Sequence, residues 1–485
     1  MKGALVQKLA VFSLSPLLIM FTLLGSVRAK AQASAGPRKH FSARFPVYPV
    51  KVSANGRYLV DQNNIPFLIA GDSPQAMIYR LSEAQVESYF ADREAHGFNT
   101  AGWVDVVCAG RDYPSNIYGA TYDGIRPFTG FVRGGSDWRY YNLRKPNEAY
   151  FIRLDHIVEL AAKHHILVFL DPAETAGWLL TLRNNGLAAD YAYGRFLGNR
   201  YKRFPTIAWI NGNDFSGWKD SSNDAVVQAV ARGIKSADPG HIQTIEFNPP
   251  TGASLDDPAW ARMVSINGAY VYGPTYIQML HNYNQKPGIP AFLMEAHYEL
   301  ENVGGVPDFG TPSVLRREEY WTMLSGGKGQ FYGNRYTWSF ANGWQSHLDT
   351  PGVAQFTIWK SFFDALPWWN LVPDQTHAVV TAGLGTYGNS QTRVSQSDFC
   401  TAAGTPDGSL IVAYMPTART ITVNMKSLRA PALAKWFDPT NGTYTAIPGG
   451  PFVDAGTRRF TPPGKNSQGD SDWVLLLDGS HSARR

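Results

Sequence analysis

Two cysteines in 485 residues, Cys108 and Cys400, are too few for a disulfide scaffold or a cysteine-based metal site. They leave open one bridge or two separate buried thiols. Long apolar runs are equally scarce. The one present, Leu9 to Leu24, follows Lys2 and Lys8 and is interrupted by Ser13, Ser15 and Pro16. It gives way to Ala29-Lys30-Ala31 and Ala31-Gln32-Ala33, two A-x-A cleavage patterns. Residues 1–33 therefore read as a secretory signal rather than a retained anchor. A secreted, periplasmic or extracellular protein without stable membrane insertion is expected. Charge is low, at 17% of residues. Removing Lys2, Lys8, Arg28 and Lys30 with the signal leaves 40 basic against 39 acidic residues, a net of +1. That balance gives nucleic acid no electrostatic footprint. Motifs are missing too. Gly326-Gly327-Lys328-Gly329 lacks the Walker spacing and leads into a strand, no Gly-x-Ser-x-Gly elbow occurs, and no H-E-x-x-H places zinc ligands on a helix. No metal and no cofactor are expected.

What is present begins with length. The chain is too long for one small core and fits a barrel of roughly 250 residues or more plus a domain of roughly 100. Asn55-Gly56 marks the turn of a short hairpin strand, Val52 to Val60, of the kind that closes the bottom of a barrel. Eight short apolar runs follow, starting at Phe67, Phe98, Ile166, Thr206, Ile242, Met263, Ala291 and Gly329. Several show no polar alternation, as strands buried on both faces require. Helical segments lie between them, at Ser82 to His96, Asn147 to His164, Asp224 to Ser236 and Ser313 to Ser325. This order predicts an α/β fold, a (β/α)8 TIM barrel over residues 38–383. Beyond about residue 384 helical periodicity stops. Short strands punctuated by Gly, Pro and Asn predict a C-terminal antiparallel β-sandwich over residues 384–485. The passage from Cys108 to Arg144 is a long insertion after the second strand, and insertions at that face build substrate pockets.

Chemistry in such a barrel lies at the C-terminal ends of the strands. The acids there are Asp72, Asp105, Asp171, Glu174, Asp214, Glu246 and Glu295. The sharpest pair is Asp214, after strand four, with Glu295, after strand seven. Retaining glycosidases need two carboxyl groups roughly 5–5.5 Å apart, one protonated and one ionised. Asp214 is assigned as general acid/base and Glu295 as nucleophile. Asn213, directly before the acid, suits a hydrogen bond to the hydroxyl beside the anomeric carbon. Asp72, Asp105, Asp171 and Glu246 are candidate sugar ligands, with helix capping or loop stabilisation as the plainer reading. Trp103, Tyr272 and Trp338 are candidate stacking platforms, or ordinary packing. His297 is a candidate hydrogen-bonding residue of the pocket. A polysaccharide or oligosaccharide is the expected partner. A non-catalytic carbohydrate- or matrix-binding protein on a decayed barrel is the alternative, and it predicts a missing carboxylate, whereas both are present.

Trp209-Ile210-Asn211-Gly212-Asn213-Asp214 resembles the strand-four signature of clan A retaining glycosidases, in which Asn precedes the acid. Those enzymes carry Glu as the acid; the Asp here is similar to the apiosidase-like family of glycoside hydrolases. Leu68-Ile69-Ala70-Gly71-Asp72-Ser73 and Arg93-Glu94-Ala95-His96-Gly97-Phe98-Asn99-Thr100 resemble that family's first-strand motif and second-strand entry. Ala413-Tyr414-Met415-Pro416 and Lys435-Trp436-Phe437-Asp438-Pro439 look like the domain that follows this barrel, to which collagen binding is ascribed. The resemblance implies glycoside hydrolysis, with release of apiose from pectic polysaccharide as the best-described precedent. One departure stands out. The family has a Trp soon after the first strand, where this chain reads Ser73-Pro74-Gln75-Ala76-Met77, so the first-strand subsite is open to difference and apiose is not assumed as the sugar. Exo action is expected because the insertion after strand two would block one end of a groove.

Overall fold

The computed structural model describes residues 45–248, 252–302, 308–453 and 455–480. The expected signal, residues 1–33, lies outside them. Among the described residues no helix is long and apolar enough to cross a membrane.

Eight parallel strands form one sheet: β1 Ile69–Asp72, β2 Thr100–Asp105, β3 Leu167–Asp171, β4 Ile207–Phe215, β5 Gln243–Phe247, β6 Asn267–Tyr270, β7 Ala291–Glu295 and β8 Gly327–Tyr332. Their spatial order is β5-β4-β3-β2-β1-β8-β7-β6. The two ends of that order, β5 and β6, meet across a seam. Ser265 N–H donates to the Gln243 carbonyl at 2.7 Å, and the Thr244 hydroxyl donates to the Ile266 carbonyl at 3.0 Å. The seam widens toward the C-terminal end, where the segment Gly252-Ala253-Ser254 fills it. Tyr270 N–H donates to Gly252 O at 2.8 Å, and Gly268 N–H donates to the Ser254 hydroxyl at 3.0 Å. A Cβ on Gly252 would meet the Tyr270 carbonyl at 2.1 Å, so the wedge requires glycine there. The sheet is thereby closed into the expected barrel. A three-stranded antiparallel sheet of Lys51–Val52, Leu59–Val60 and Pro66–Phe67 lies at the barrel's N-terminal end. Its Leu59 and Phe67 join Phe169, Ile210 and Phe292 of the barrel interior in one apolar cluster.

Two of the surrounding helices start where their capping residues say they should. α1 Glu83–Ala95 opens on a capping box between Ser82 and Gln85, and α2 Glu148–Lys163 opens on Asn147. α3 Leu187–Tyr201 and α4 Ser221–Ala237 precede and follow β4. α5 Thr275–Asn284, α6 Pro312–Leu324 and α7 Pro351–Asp364 complete the ring. The sixth strand begins at Asn267, later than the apolar run at Met263 suggests. Met263 and Val264 follow a helical turn, Pro258–Trp260, and pack outside the sheet. Between β5 and β6 no longer helix forms among the described residues, and the wedge takes its place.

The C-terminal strands form two antiparallel sheets. The first has the order Val372–Pro373, Thr401–Gly404, Leu410–Met415, Trp473–Asp478, Leu433–Phe437, Tyr444–Ala446; the second is Val380–Ala382, Ile421–Asn424, Thr457–Phe460. Strands Val372–Pro373 and Val380–Ala382 already belong to this sandwich, so it begins upstream of residue 384. Strands of two or three residues carry too short a pattern to mark the boundary in sequence. The sandwich and barrel share an apolar cluster in which Tyr320 and Trp321 of α6 meet Tyr414 and Phe437. Cys108 and Cys400 are separate, buried, free thiols.

Candidate active site

Strand β4 ends in an unusual backbone. Gly212, Asn213 and Asp214 hold φ of 109°, 51° and 52°. Two consecutive non-glycine residues in the left-handed region cost about 1–3 kcal/mol each, and such strain persists only where surroundings impose it. They do so here. Thr175 donates its N–H and its hydroxyl to the Gly212 carbonyl, both at 2.6 Å, and its hydroxyl reaches the Asn213 carbonyl at 2.8 Å. Glu246 Oε2 accepts the Asp214 N–H at 2.9 Å, and Asn248 donates to the Asp214 carbonyl at 3.2 Å. The run turns the Asp214 carboxylate out of the strand, leaving its side chain 28% exposed.

Asp214 Oδ1 accepts the Tyr270 hydroxyl at 2.8 Å, and Oδ2 faces the Arg111 guanidinium at 3.1 Å. Glu295, at the end of β7, accepts Tyr272 on Oε1 at 2.8 Å and Tyr298 on Oε2 at 3.1 Å. The Tyr270 and Tyr272 rings meet edge to face with centroids 5.5 Å apart, so one tyrosine pair ties the two acids together. Burial pushes the Glu295 carboxyl up to about 8, and the neighbouring Asp214 charge adds to the rise. Hydrogen bonds from Tyr272, Tyr298 and Tyr270 pull against it. Behind Tyr298 the chain of contacts continues. Gln75 donates to the Tyr298 hydroxyl at 3.2 Å and accepts from Asn213 at 3.5 Å. Gln75 lies in the stretch where the family's tryptophan is missing.

A second set of acids is buried nearby. Asp105 accepts Tyr113 at 2.6 Å, and Asp171 accepts Ala173 N–H at 2.9 Å. Burial raises Asp171 to about 8; burial first, then repulsion from Asp171, raises Asp105, burial and repulsion from Asp105 raise Glu174, and burial and repulsion from Glu295 and Asp214 raise Glu246. One oxygen each of Asp105, Asp171 and Glu246, and both of Glu174, have no hydrogen-bond partner among the described residues. Such groups suit neutral carboxyls or acceptors for hydroxyl protons.

The family model for the "Apiosidase-like, catalytic domain" matches residues 53–370. The chain belongs to this family. A second model, "Putative collagen-binding domain of a collagenase", matches residues 389–478. No curated protein matches the chain in sequence. Among solved structures, one titled "Glycoside hydrolase" is 22% identical with a TM-score of 0.73, covering 89% of this chain and 97% of its own. A glycoside hydrolase family 5 protein from Bacteroides vulgatus ATCC 8482 is also 22% identical, with a TM-score of 0.73 and coverage of 89% and 94%. At that identity the likeness shows the fold. The family membership makes the chain a glycoside hydrolase.

In this apiosidase-like hydrolase, the residues singled out from sequence fall into four groups. Asp214, Glu295, Asn213, Glu246 and Tyr272 are linked by the contacts above, and Tyr272 is a donor to Glu295. Asp105 and Asp171 are buried beside them, and His297 abuts Tyr272 with ring centroids 5.2 Å apart. His297 Nδ1 meets Glu318 at 2.5 Å; burial opposes its charge, but Glu318 outweighs that and raises it. Trp338 stays half-buried on the loop after β8. Two expectations are corrected. Asp72 is spent on structure: Oδ2 accepts Tyr89 at 2.6 Å and Arg93 at 3.1 Å, while Oδ1 accepts Ser73 N–H. Trp103 is fully buried in the barrel interior with Phe169 and Phe331, where no sugar can stack. Its own φ of 57° turns it inward from an irregular stretch of β2. Tyr270, Tyr298, Arg111 and Gln75 were not singled out. Tyr270 was obscured by the early placement of the sixth strand, which left it in a loop. Tyr298, three residues past Glu295, had a positional signal that went unused.

The raised Glu295 carboxyl has a kinetic consequence if it acts as nucleophile. Its ionised form is then the working one, so kcat/KM rises with pH through an acidic limb above the ordinary glutamate range. Tyr272→Phe removes a bond that favours the carboxylate. Its limb is expected at higher pH than wild type in a kcat/KM profile, and an unmoved or lowered limb counts against the role.

Proposed function

We propose that the protein is a secreted, retaining, exo-acting glycosidase of plant or microbial polysaccharide, with Asp214 as acid/base and Glu295 as nucleophile. The observation that carries the reading is the joining of these two strand-end acids through Tyr270 and Tyr272. In the first step a Glu295 oxygen attacks the anomeric carbon and the glycosidic C–O bond breaks. Asp214 gives its proton to the departing oxygen. In the second step Asp214 takes a proton from water, whose oxygen attacks the same carbon and releases Glu295. Asn213, set by the left-handed run, is in register to hold the adjacent sugar hydroxyl. The partly exposed acid with Arg111 at its outer side suits the leaving-group side, and the more deeply buried Glu295 suits the sugar side. Arg111 comes from the insertion after β2, which supports closure of one end of the site and exo action.

The test is release of sugar from a panel of plant and microbial glycans, with the first-formed anomer read by proton NMR before mutarotation. Net retention of configuration is the expected result. An inverted first product would rule out the nucleophile role of Glu295.

A further inference from the structure

We propose that the protein carries a second, non-catalytic site that binds a neutral oligosaccharide in the cleft between α5 and the sandwich. This inference does not depend on which residues perform hydrolysis. The cleft has a volume of about 570 Å³, within the usual range for small-molecule sites. One wall is the outer side of α5 and the end of α6; the other is formed by residues 373–375, 377, 384, 387 and 399–402. None of the residues that line it contacts Asp214 or Glu295.

The lining has the two textures that a sugar ring presents. Ile277, Leu280, Leu324 and Leu384 supply apolar contact for the C–H faces. Tyr387 is 51% exposed and is braced edge-on by Phe399 at 4.9 Å and Tyr276 at 5.2 Å. A ring held this way is a rigid stacking surface with little rotamer freedom left to lose. The polar side consists of amides: Asn284 and Gln375, paired at 2.7 Å across the cleft, and Gln285. Thr401 also lines the cleft. Its hydroxyl is buried and has no hydrogen-bond partner among the described residues. An unmet buried hydroxyl is destabilising, and a ligand hydroxyl would relieve it.

Charge decides the class of glycan. Asp374 spends its carboxylate on the backbone N–H groups of Ala378, Val379 and Val380. His281 is paired with Asp256 at 2.7 Å, and that partner raises its proton affinity despite partial burial. Neither of these two groups is left over to recognise a charged sugar. The turn that Asp374 caps also fixes His377, at φ 55°, on the rim, so the cleft is preformed.

The experiment is calorimetric titration of the full chain carrying Glu295→Gln. The probes are tetrasaccharides of β-1,4-glucan, β-1,4-mannan, β-1,4-xylan and α-1,5-arabinan, with tetragalacturonate as the charged comparison. At least one neutral probe is expected to bind saturably. Tyr387→Ala and Gln375→Ala, both at exposed positions, are expected to weaken it tenfold or more with Tm unchanged, and Thr401→Val several-fold. Binding of no neutral probe, binding unaltered in both exposed variants, or preference for tetragalacturonate lost in those variants would overturn the proposal. Chromatography of the titrated probes shows whether any was cleaved, which separates an error in the catalytic assignment from an error in this site.

Discussion

Glu295→Gln is expected to abolish turnover, with kcat lower by on the order of 10⁴ or more, and Asp214→Asn to lower it by roughly 10²–10⁴. The choice of asparagine follows from the backbone. Asp214 sits at φ 52°, a conformation that Asn tolerates and Ala does not, so Asp214→Asn tests chemistry rather than folding. The roles separate on an aryl glycoside with a strongly acidic leaving group. Such a phenol departs without protonation, so Asp214→Asn should keep a fast first step and release a burst of phenol. Glu295→Gln should show none, because no covalent intermediate can form. Equal loss in both variants on this substrate would contradict the assignment. A stability measurement guards the interpretation. Glu295 is raised in the fold, so its contribution is fully present below the ordinary glutamate range and is lost as pH rises through about 8. Glu295→Gln has no such loss. Its Tm should therefore gain on wild type across that window, even as activity disappears.

The barrel was legible because its strands are apolar runs at regular intervals and its helices announce themselves by caps. Ser82 with Gln85 and Asn147 with its following turn are examples where the signal and the observed start agree. The seam was not legible. Met263-Val264 looks like strand, but the chain needs Gly252-Ala253-Ser254 in the sheet position, and that competition exists only in three dimensions. The acids at strand ends were visible as types and positions. What each one does was not, since Asp72 and Asp105 look alike in sequence, yet Asp72 is saturated by Arg93, Tyr89 and the Ser73 N–H while Asp105 meets Tyr113 and keeps one oxygen without a partner among the described residues. The left-handed run at Gly212-Asn213-Asp214 was also hidden. Gly-Asn-Asp permits it, but Thr175 after β3 and Glu246 and Asn248 at the end of β5 impose it.

Removing all of the sandwich but its strands Val372–Pro373 and Val380–Ala382, by truncation after Gly383, is expected to yield insoluble protein, because the barrel's α6 has no solvent-facing side where the two meet. Tyr320 stacks on Tyr414 with centroids 5.0 Å apart, and the Trp321 indole donates to the Phe399 carbonyl at 3.0 Å. Between them Arg316 is buried. It donates to both Asp472 oxygens at 3.0 and 2.9 Å, to Gln355 at 2.7 Å, and also meets Asp470 at 2.7 Å. Truncation deletes Asp470 and Asp472, leaves the guanidinium only Gln355 as a protein partner, and uncovers the apolar face of α6 around Tyr320 and Trp321. The point variant isolates that part. Arg316→Ala leaves Asp472 buried with its remaining contacts from Tyr414 and Asn466, and should cost about 3–5 kcal/mol in denaturant unfolding. Arg316→Met restores volume without charge but still strands the carboxylate, so it should recover only part. Arg316→Met with Asp472→Asn should cost less than the sum of the two single costs, the coupling that a direct pair gives in a double-mutant cycle. If the truncated barrel were instead soluble and active, the shared core would be dispensable and the sandwich an independent module. The cleft beside α5 would then lose one wall on truncation while the carboxylates kept theirs, so catalysis and oligosaccharide binding would part company between the full-length and the shortened chain.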